Sequence, residues 1–425
     1  MVSGFPPGVA ISAPPAEPFG GPRYVIPALM PNYNRADLVF ERGEGAWLWD
    51  AQGRRFLDFG AGIATTSIGH AHPHLVSAIS GQAARLMHTS NLYRVPQAER
   101  LAQRLVEATP FADSVYFSNS GAEANEAMIK AVRKYHAANG HPERFRTICF
   151  EGAFHGRTLA MISATGNAKY LEGFGPPVEG FDHVPFGNMN AVRQAITKET
   201  AAIMIEPIQG EGGVRPADLR FLQELRATCD EFGILLALDE VQTGMGRSGK
   251  LWAHQWAGIE PDIMSSAKGI GGGFPLAATL AREKVAVHLK PGTHGSTYGG
   301  GPLACTAGNA VLDVILAPGF LDNVDRVARH LWRGLQELAK RHPKVVTGVQ
   351  GAGLLVGLKL VDSVSNTEMQ GAAVAEGLLT VAAGMNVLRV APPLIVTEAE
   401  VDEALHLLDR ACLRLTPGEA KAAAK

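Results

Sequence analysis

Hydrophobic and polar positions change rhythm several times along this chain of 425 residues. Trp47-Leu48-Trp49-Asp50, then Gly53, then Phe56-Leu57-Asp58-Phe59 alternate apolar and turn residues, which predicts a hairpin in a small N-terminal lobe over 31–72. Between 73 and 315, short apolar runs at 114–118, 147–150, 202–205, 234–238 and 263–266 are separated by helical stretches. Strands that alternate with helices build βαβ units, so a large α/β domain with a mostly parallel sheet is predicted over 73–315. After Pro318, a helix over 322–341 leads to an extended stretch at 345–360, a further helix, a strand at 386–389 and a last helix from Glu398. That pattern reads as a separate α/β lobe over 316–425. Pro6, Pro7, Pro14, Pro15, Pro18 and Pro22, with glycine and alanine between them, predict an unpacked N-terminal arm over 1–30.

Composition narrows the function more than it changes this picture. With 46% hydrophobic and 19% charged residues, the chain has the balance of a packed globular enzyme. A formal net charge of −2 leaves no basic field of the kind that nucleic-acid binding needs. The four cysteines, Cys149, Cys229, Cys305 and Cys412, are far apart and fit neither a zinc site nor a disulfide framework, so free thiols in a reducing compartment are expected. The N-terminus lacks the pattern of a signal peptide, and no apolar stretch approaches the ~20 residues of a membrane span. A cytoplasmic protein with no membrane partner and no metal is the expectation.

Functional groups of an α/β sheet gather at the carboxyl ends of its strands, so the residues just past each apolar run matter most. The run at 203–205 ends in Glu206-Pro207 and then Gly210-Glu211-Gly212-Gly213; the run at 234–238 ends in Asp239-Glu240-Val241-Gln242; the run at 263–266 leads to Lys268-Gly269. A lysine at a strand end, followed by glycines that let a ligand approach, suits Schiff-base chemistry, because desolvation frees its amine. Alone, such a lysine is better read as a solvated turn residue. Asp239 supplies context, since a carboxylate there pairs with a pyridinium nitrogen and keeps it protonated; its plainer readings are a helix cap or a metal carboxylate, the latter disfavoured because no histidines or further carboxylates have ligand spacing nearby. Ser120, Gly121 and Ala122 open a helix directly after a strand, where backbone amides bind phosphate, although Ser120 is equally a simple N-cap. Phe154 and Arg157, just past the run at 147–150, offer an aromatic face for a ring and a guanidinium for a carboxylate; they also read as a core residue and a surface ion pair. Taken together, these pieces describe a site for a phosphorylated pyridine aldehyde.

These residues strongly resemble the class III aminotransferases of fold type I, and within them the acetylornithine aminotransferases of bacterial arginine synthesis. The likeness runs from Met30 to about Leu408. It is carried by 119–126 (NSGAEANE), 154–158 (FHGRT), 205–213 (IEPIQGEGG), 238–246 (LDEVQTGMG), 266–275 (SAKGIGGGFP) and 294–300 (HGSTYGG). The resemblance implies a large domain with a mostly parallel sheet flanked by helices, plus a smaller α/β domain made from both chain ends. It implies pyridoxal 5′-phosphate as cofactor, with Ser120, Gly121 and Ala122 at its phosphate, Phe154 on its ring, Asp239 at the ring nitrogen, Gln242 at the ring oxygen and Lys268 bonded to the aldehyde. A homodimer is also implied, in which Ser296 and Thr297 reach across, Thr297 to the neighbour's cofactor phosphate and Ser296 to its substrate.

The same resemblance assigns the substrate residues. Arg157 would hold the γ-carboxylate of glutamate or the distant carboxylate of acetylornithine, and Arg389 the α-carboxylate of glutamate. Acetylornithine would bring methylenes to Arg389 and leave a buried charge unpaired, so Glu211 is expected to pair with Arg389 in that half-reaction and release it in the other. Gly301, where asparagine is usual, and Thr65-Thr66-Ser67 before Gly69-His70 depart from the family pattern and bear on substrate preference. Rival readings are an aminotransferase for succinyl-diaminopimelate, ornithine, 4-aminobutyrate or another ω-amine, a fold relative that decarboxylates or shifts an amine internally, and a regulator that binds the cofactor without turnover. The retained Arg389 and Glu211 favour a glutamate-coupled transaminase.

Overall fold

Each of the five apolar runs of the middle region becomes a strand, in a computed structural model that describes residues 28–416. The arm expected over 1–30 lies outside those residues except at 28–30, and residues 28–39 carry bends but no helix or strand. From residue 40 onward the strands are β1 (Phe40–Glu44), β2 (Trp47–Asp50), β3 (Arg55–Asp58), β4 (Ser114–Ser118), β5 (Arg146–Phe150), β6 (Phe181–Val184), β7 (Thr200–Ile205), β8 (Ile208–Gln209), β9 (Arg215–Pro216), β10 (Leu235–Asp239), β11 (Ile263–Ser266) and β12 (Ala277–Ala281). They are followed by β13 (Val346–Ala352), β14 (Leu355–Leu360), β15 (Leu378–Leu379), β16 (Val381–Ala383) and β17 (Val387–Val390).

The central sheet has seven strands in the order β4-β12-β11-β10-β7-β5-β6. Its neighbours run parallel except around β12, which opposes both β11 and β4. β7 and β10 are buried at every position, as strands covered on both faces must be, which is why their sequences are continuous apolar runs without alternation. β6 and β12 are additions to the strands read from the sequence. Phe181–Val184 is short with polar residues inside it, and Ala277–Ala281 is mostly alanine, so neither carries the β-branched signal.

The helices around this sheet begin and end on recognisable residues. Asp218 caps Leu219–Phe232 by accepting from Arg220 and Phe221, and Gly233, left-handed at φ +63°, ends it. Trp252 is fully buried against this layer, with Nε1 donating to Thr109 Oγ1 at 2.8 Å. The expected hairpin at 47–59 is β2 paired antiparallel with β3, and β15 adds to β3 in parallel, so one four-stranded sheet draws on both the early and the late chain. The expected extended stretch at 345–360 is a second hairpin, β13 on β14, completed by β17 and β16. Helix Phe320–Arg341 packs against this sheet and against Glu398–Leu415, whose cap Thr397 exchanges hydrogen bonds with Glu400. No single helix among the described residues is long and apolar enough to cross a membrane, and all four cysteines are free and buried.

Candidate active site

The carboxyl ends of β5, β7, β10 and β11 open into a cavity of about 450 Å³. Ser120, Gly121, Ala122, Phe154, Arg157, Glu211, Asp239, Gln242 and Lys268 all line it. A larger cleft, of about 1030 Å³, lies between Pro216–Leu222 and the helix bearing Trp332 and contains none of them; chemistry, not size, marks the smaller cavity.

Asp239 ends β10 and is 3% exposed. Its Oδ2 accepts from Asn125 Nδ2 and pairs with His155 Nδ1, both at 2.8 Å, while Oδ1 accepts from the Val241 amide at 3.0 Å. Ser265 Oγ donates to Asn125 Oδ1 at 2.6 Å, so the amide that holds Asp239 is itself held. Burial opposes a charge on His155, but the hydrogen bond and charge of Asp239 outweigh it and keep its pKa above the usual value. A carboxylate held by an amide side chain, an imidazole and a backbone N–H is a fixed anion, suited to a cationic ring nitrogen.

Lys268 follows β11 with φ +47°, in the left-handed region, and begins a short 3₁₀ turn through Gly271. Ser67 Oγ donates to the Gly269 carbonyl at 2.7 Å and steadies that turn from outside the sheet. Burial, then the charge of Arg389, lower the Lys268 amine to about 8, although Asp239, Glu206 and Glu211 pull the other way. Such an amine is far better supplied with its nucleophilic form near neutrality than an ordinary lysine.

Ser120 caps the long helix Gly121–Ala138: its Oγ accepts from the Glu123 amide at 3.3 Å and donates to Glu123 Oε2 at 3.0 Å. The capping reading of Ser120 is thus realised, and the first amides of the helix, at Gly121 and Ala122, still have no intrahelical partner. A Cβ at Gly121 would stand 2.7 Å from Val241, so only glycine lets the chain turn here under the cavity floor. Phe154 presents its ring to the cavity, edge-on to Tyr170 at 5.9 Å, and the Arg157 guanidinium lies over both rings, 4.2 Å from the Tyr170 centroid. Arg157 is exposed and forms no salt bridge among the described residues, so its charge is available to a ligand.

Arg389 lies on β17 and is 1% exposed. Its Nη2 donates to Glu211 Oε2 at 3.1 Å and its Nη1 to Gln242 Oε1 at 3.0 Å, while the buried Nε has no partner. Burial lowers its pKa and Glu211 partly restores it. Glu211 sits on a turn whose backbone is pinned, since the Gly384 amide donates to its carbonyl at 2.8 Å and Gln350 Nε2 donates to Gly213 O at 2.6 Å. Separating Glu211 from Arg389 is therefore a side-chain rotation.

Thr297 is exposed, and neither it nor Ser296 lines this cavity; Ser296 Oγ accepts from Asn119 Nδ2 at 3.2 Å at its edge. Gly301 precedes helix Pro302–Ile315 without a side-chain cap, and Thr65, which lines the cavity, turns its hydroxyl back to Gly62 O at 3.0 Å. The sequence motifs assigned no role to Asn125, His155 or Glu206. Glu206 carried a usable signal, a carboxylate closing an apolar run as Asp239 does; burial, then Asp239, raise it to about 7. The cavity suits pyridoxal 5′-phosphate: a lysine with a depressed pKa, a fixed carboxylate, an aromatic wall and a helix start with free amides surround one space.

Comparison with known proteins gives the same picture from outside. The chain matches the family described as aminotransferase class-III over residues 29–412. It is 58% identical over 388 residues to acetylornithine aminotransferase of Brucella melitensis, covering 91% of this chain and 96% of that relative. Among solved structures, N-acetylornithine aminotransferase from Stenotrophomonas maltophilia matches with a TM-score of 0.79 and 38% identity over 92% of this chain and 98% of that one. Ornithine aminotransferase from Toxoplasma gondii matches with a TM-score of 0.88 and 30% identity, over 91% and 93%.

Proposed function

Because the chain belongs to the class III aminotransferase family, we infer that it is a pyridoxal-5′-phosphate enzyme converting N2-acetyl-L-ornithine and 2-oxoglutarate to N-acetyl-L-glutamate 5-semialdehyde and L-glutamate, a step of arginine biosynthesis. The observation that carries the substrate assignment is that relatives matching nearly the whole chain bear that activity in their names. The cavity supports it with one free cation, Arg157, and one cation on a releasable partner, Arg389. When bound, the cofactor accepts the amino group and takes up the electron pair left on the substrate carbon.

The residues of the chain have the remaining tasks in this reading. Gly121 and Ala122 amides, with Ser120, hold the phosphate; Phe154 covers the ring; Asp239 keeps the ring nitrogen protonated; Gln242 meets the ring oxygen. Lys268 Nζ would hold the cofactor covalently, and its free amine would serve as the general base that removes the proton from the substrate carbon and, as the ammonium, as the general acid that returns it. Arg157 fixes the distant carboxylate of either substrate, so the reacting carbon returns to one place. Arg389 stays on Glu211 while the uncharged end of acetylornithine is present and passes to the α-carboxylate when glutamate enters, which keeps a buried guanidinium paired in both half-reactions.

We also propose a homodimer in which Ser296 and Thr297 serve the neighbouring site. Supporting this, Met87, Leu92, Tyr93 and Tyr298 are exposed apolar residues near the Ser296 loop, and Asn91 joins the two stretches by donating to Gly299 O at 2.8 Å. A cytoplasmic location accords with the four free, buried thiols.

The visible absorbance of the purified protein tests the function. A cofactor band that bleaches with N2-acetyl-L-ornithine and returns with 2-oxoglutarate, and that Lys268→Ala fails to cycle, is the expected outcome. Bleaching by ornithine or 4-aminobutyrate but not by acetylornithine would leave the family in place and overturn the substrate. The likeness to ornithine aminotransferase makes ornithine the first rival to try.

A further inference from the structure

Glu206 faces the cavity, is 4% exposed, and has no task in the transamination steps. It directly follows β7, and both of its side-chain hydrogen bonds run to backbone amides, one on the segment after β5 and one in the turn that carries Glu211. Oε1 accepts from Phe154 at 2.8 Å; Oε2 accepts from Gly210, the residue before Glu211, at 3.3 Å. The two segments so joined are also packed hard against each other. Gln209 Nε2 donates to the Glu151 carbonyl at 3.0 Å, and a Cβ on Gly212 would strike the Gly152 carbonyl. One of these segments carries the ring-facing Phe154 and Arg157, and the other carries the partner of Arg389.

We propose that Glu206 is a positioning residue of the transamination site: its carboxylate latches the Phe154 segment to the Glu211 turn, so that the ring plate and the acid that releases Arg389 keep one spacing through both half-reactions. This rests on the transaminase reading. A carboxylate is required because it offers an acceptor to each amide at once, whereas a glutamine must turn its own NH₂ against one of them. The latch matters most when Glu211 has left Arg389. While that pair is closed it adds a side-chain tie to the turn; once glutamate has opened it, the spacing of the two segments rests on Glu206 and on Gln209, which donates to Glu151 O. Burial and Asp239 push the Glu206 carboxyl up to about 7, so the comparison is made above that pH, where the ionised form with an acceptor for each amide prevails.

The test compares wild type, Glu206→Gln and Glu206→Asp, whose carboxylate is too short to reach both amides. Amide hydrogen exchange is followed in cofactor-free protein, and the two half-reactions are timed separately in loaded protein. Residues 151–158 and 207–214 should lose protection together by at least about tenfold, the scale of one charge-assisted hydrogen bond, with the rest of the chain unchanged. The glutamate half-reaction should lose about tenfold in kcat/KM and the acetylornithine half-reaction less than about twofold. Unchanged exchange, exchange that rises throughout the chain, equal losses in both half-reactions, or failure of both variants to fold would each overturn the latch. Spectral cycling of the wild type with acetylornithine and 2-oxoglutarate judges the transaminase reading separately, so the two failures are distinguishable.

Discussion

Two of the carboxylates that face the cavity, Asp239 and Glu211, are held in opposite ways. Asp239 is almost fully buried, ends a strand of the central sheet, and is fixed by Asn125, His155 and the Val241 amide. Glu211 has a side chain 36% exposed, sits on a glycine-flanked turn, and touches Arg389 at a single 3.1 Å contact. Preorganised charge works by not moving, and a charge serving two substrates works by moving; the fold supplies the first from a sheet and the second from a turn with a pinned backbone. The contrast also explains the cost of each: the Asp239 network takes several side chains to satisfy, whereas Glu211 needs solvent access and one partner.

The comparison breaks most visibly at the fixed end. Asp239→Asn should lower kcat by about 10³-fold in both half-reactions alike, because a fixed charge serves both; stopped-flow absorbance of each half-reaction measures this. A loss confined to one substrate would show that Asp239 is not a shared anchor. At the movable end the effect should split. Arg389→Gln should cost about 10²-fold in kcat/KM for glutamate through the lost bidentate carboxylate contact, and far less for acetylornithine. Glu211→Gln should act in the reverse sense and more weakly, slowing acetylornithine by about tenfold by leaving Arg389 without its anion, and sparing glutamate.

Lys268 reads the same pair through its titration. In cofactor-free protein its amine has a pKa of about 8, so labelling by an amine-selective electrophile should rise as pH increases through 8, well below an ordinary lysine. Arg389 repels the proton on Lys268 and Glu211 attracts it. Hence Arg389→Gln should move the midpoint up and Glu211→Gln should move it down; shifts of the same sign would rule out this charge arrangement.

Most of the fixed frame was legible because burial on both faces writes strands as unbroken apolar runs, and each such run ended in the residue that faces the cavity. The edge of the frame was less so: in β12 the alanines that let helix Gly121–Ala138 pack closely also erase strand propensity. The support of the site was hidden for a different reason. Asn125 and Asp239 are 114 positions apart, and nothing local to either announces the bond between them. His155 stood in a motif beside Phe154 and Arg157, yet its hydrogen bond is to Asp239, far away in sequence. The sequence thus shows which groups face a ligand more readily than which groups hold them there.

Thr65 tests that distinction at its weakest point, where the expected effect is smallest. It lines the cavity, which invites a role in substrate choice. Its hydroxyl, however, is spent on its own turn, donating to Gly62 O at 3.0 Å and Ala61 O at 3.3 Å. That turn holds Ala61, Ile63 and Ala64 at positive φ, a conformation costing non-glycine residues roughly 1–2 kcal/mol each, so an internal bond there is more useful than one to a substrate. Thr65→Val keeps the shape and removes the bond. The expected result is a loss of about 0.5–1.5 kcal/mol in stability by denaturant unfolding, with kcat/KM for acetylornithine and ornithine changed by the same factor, under about threefold. A change in the ratio between the two substrates would instead make Thr65 a part of the ligand surface, on the side of Glu211 and not of the frame.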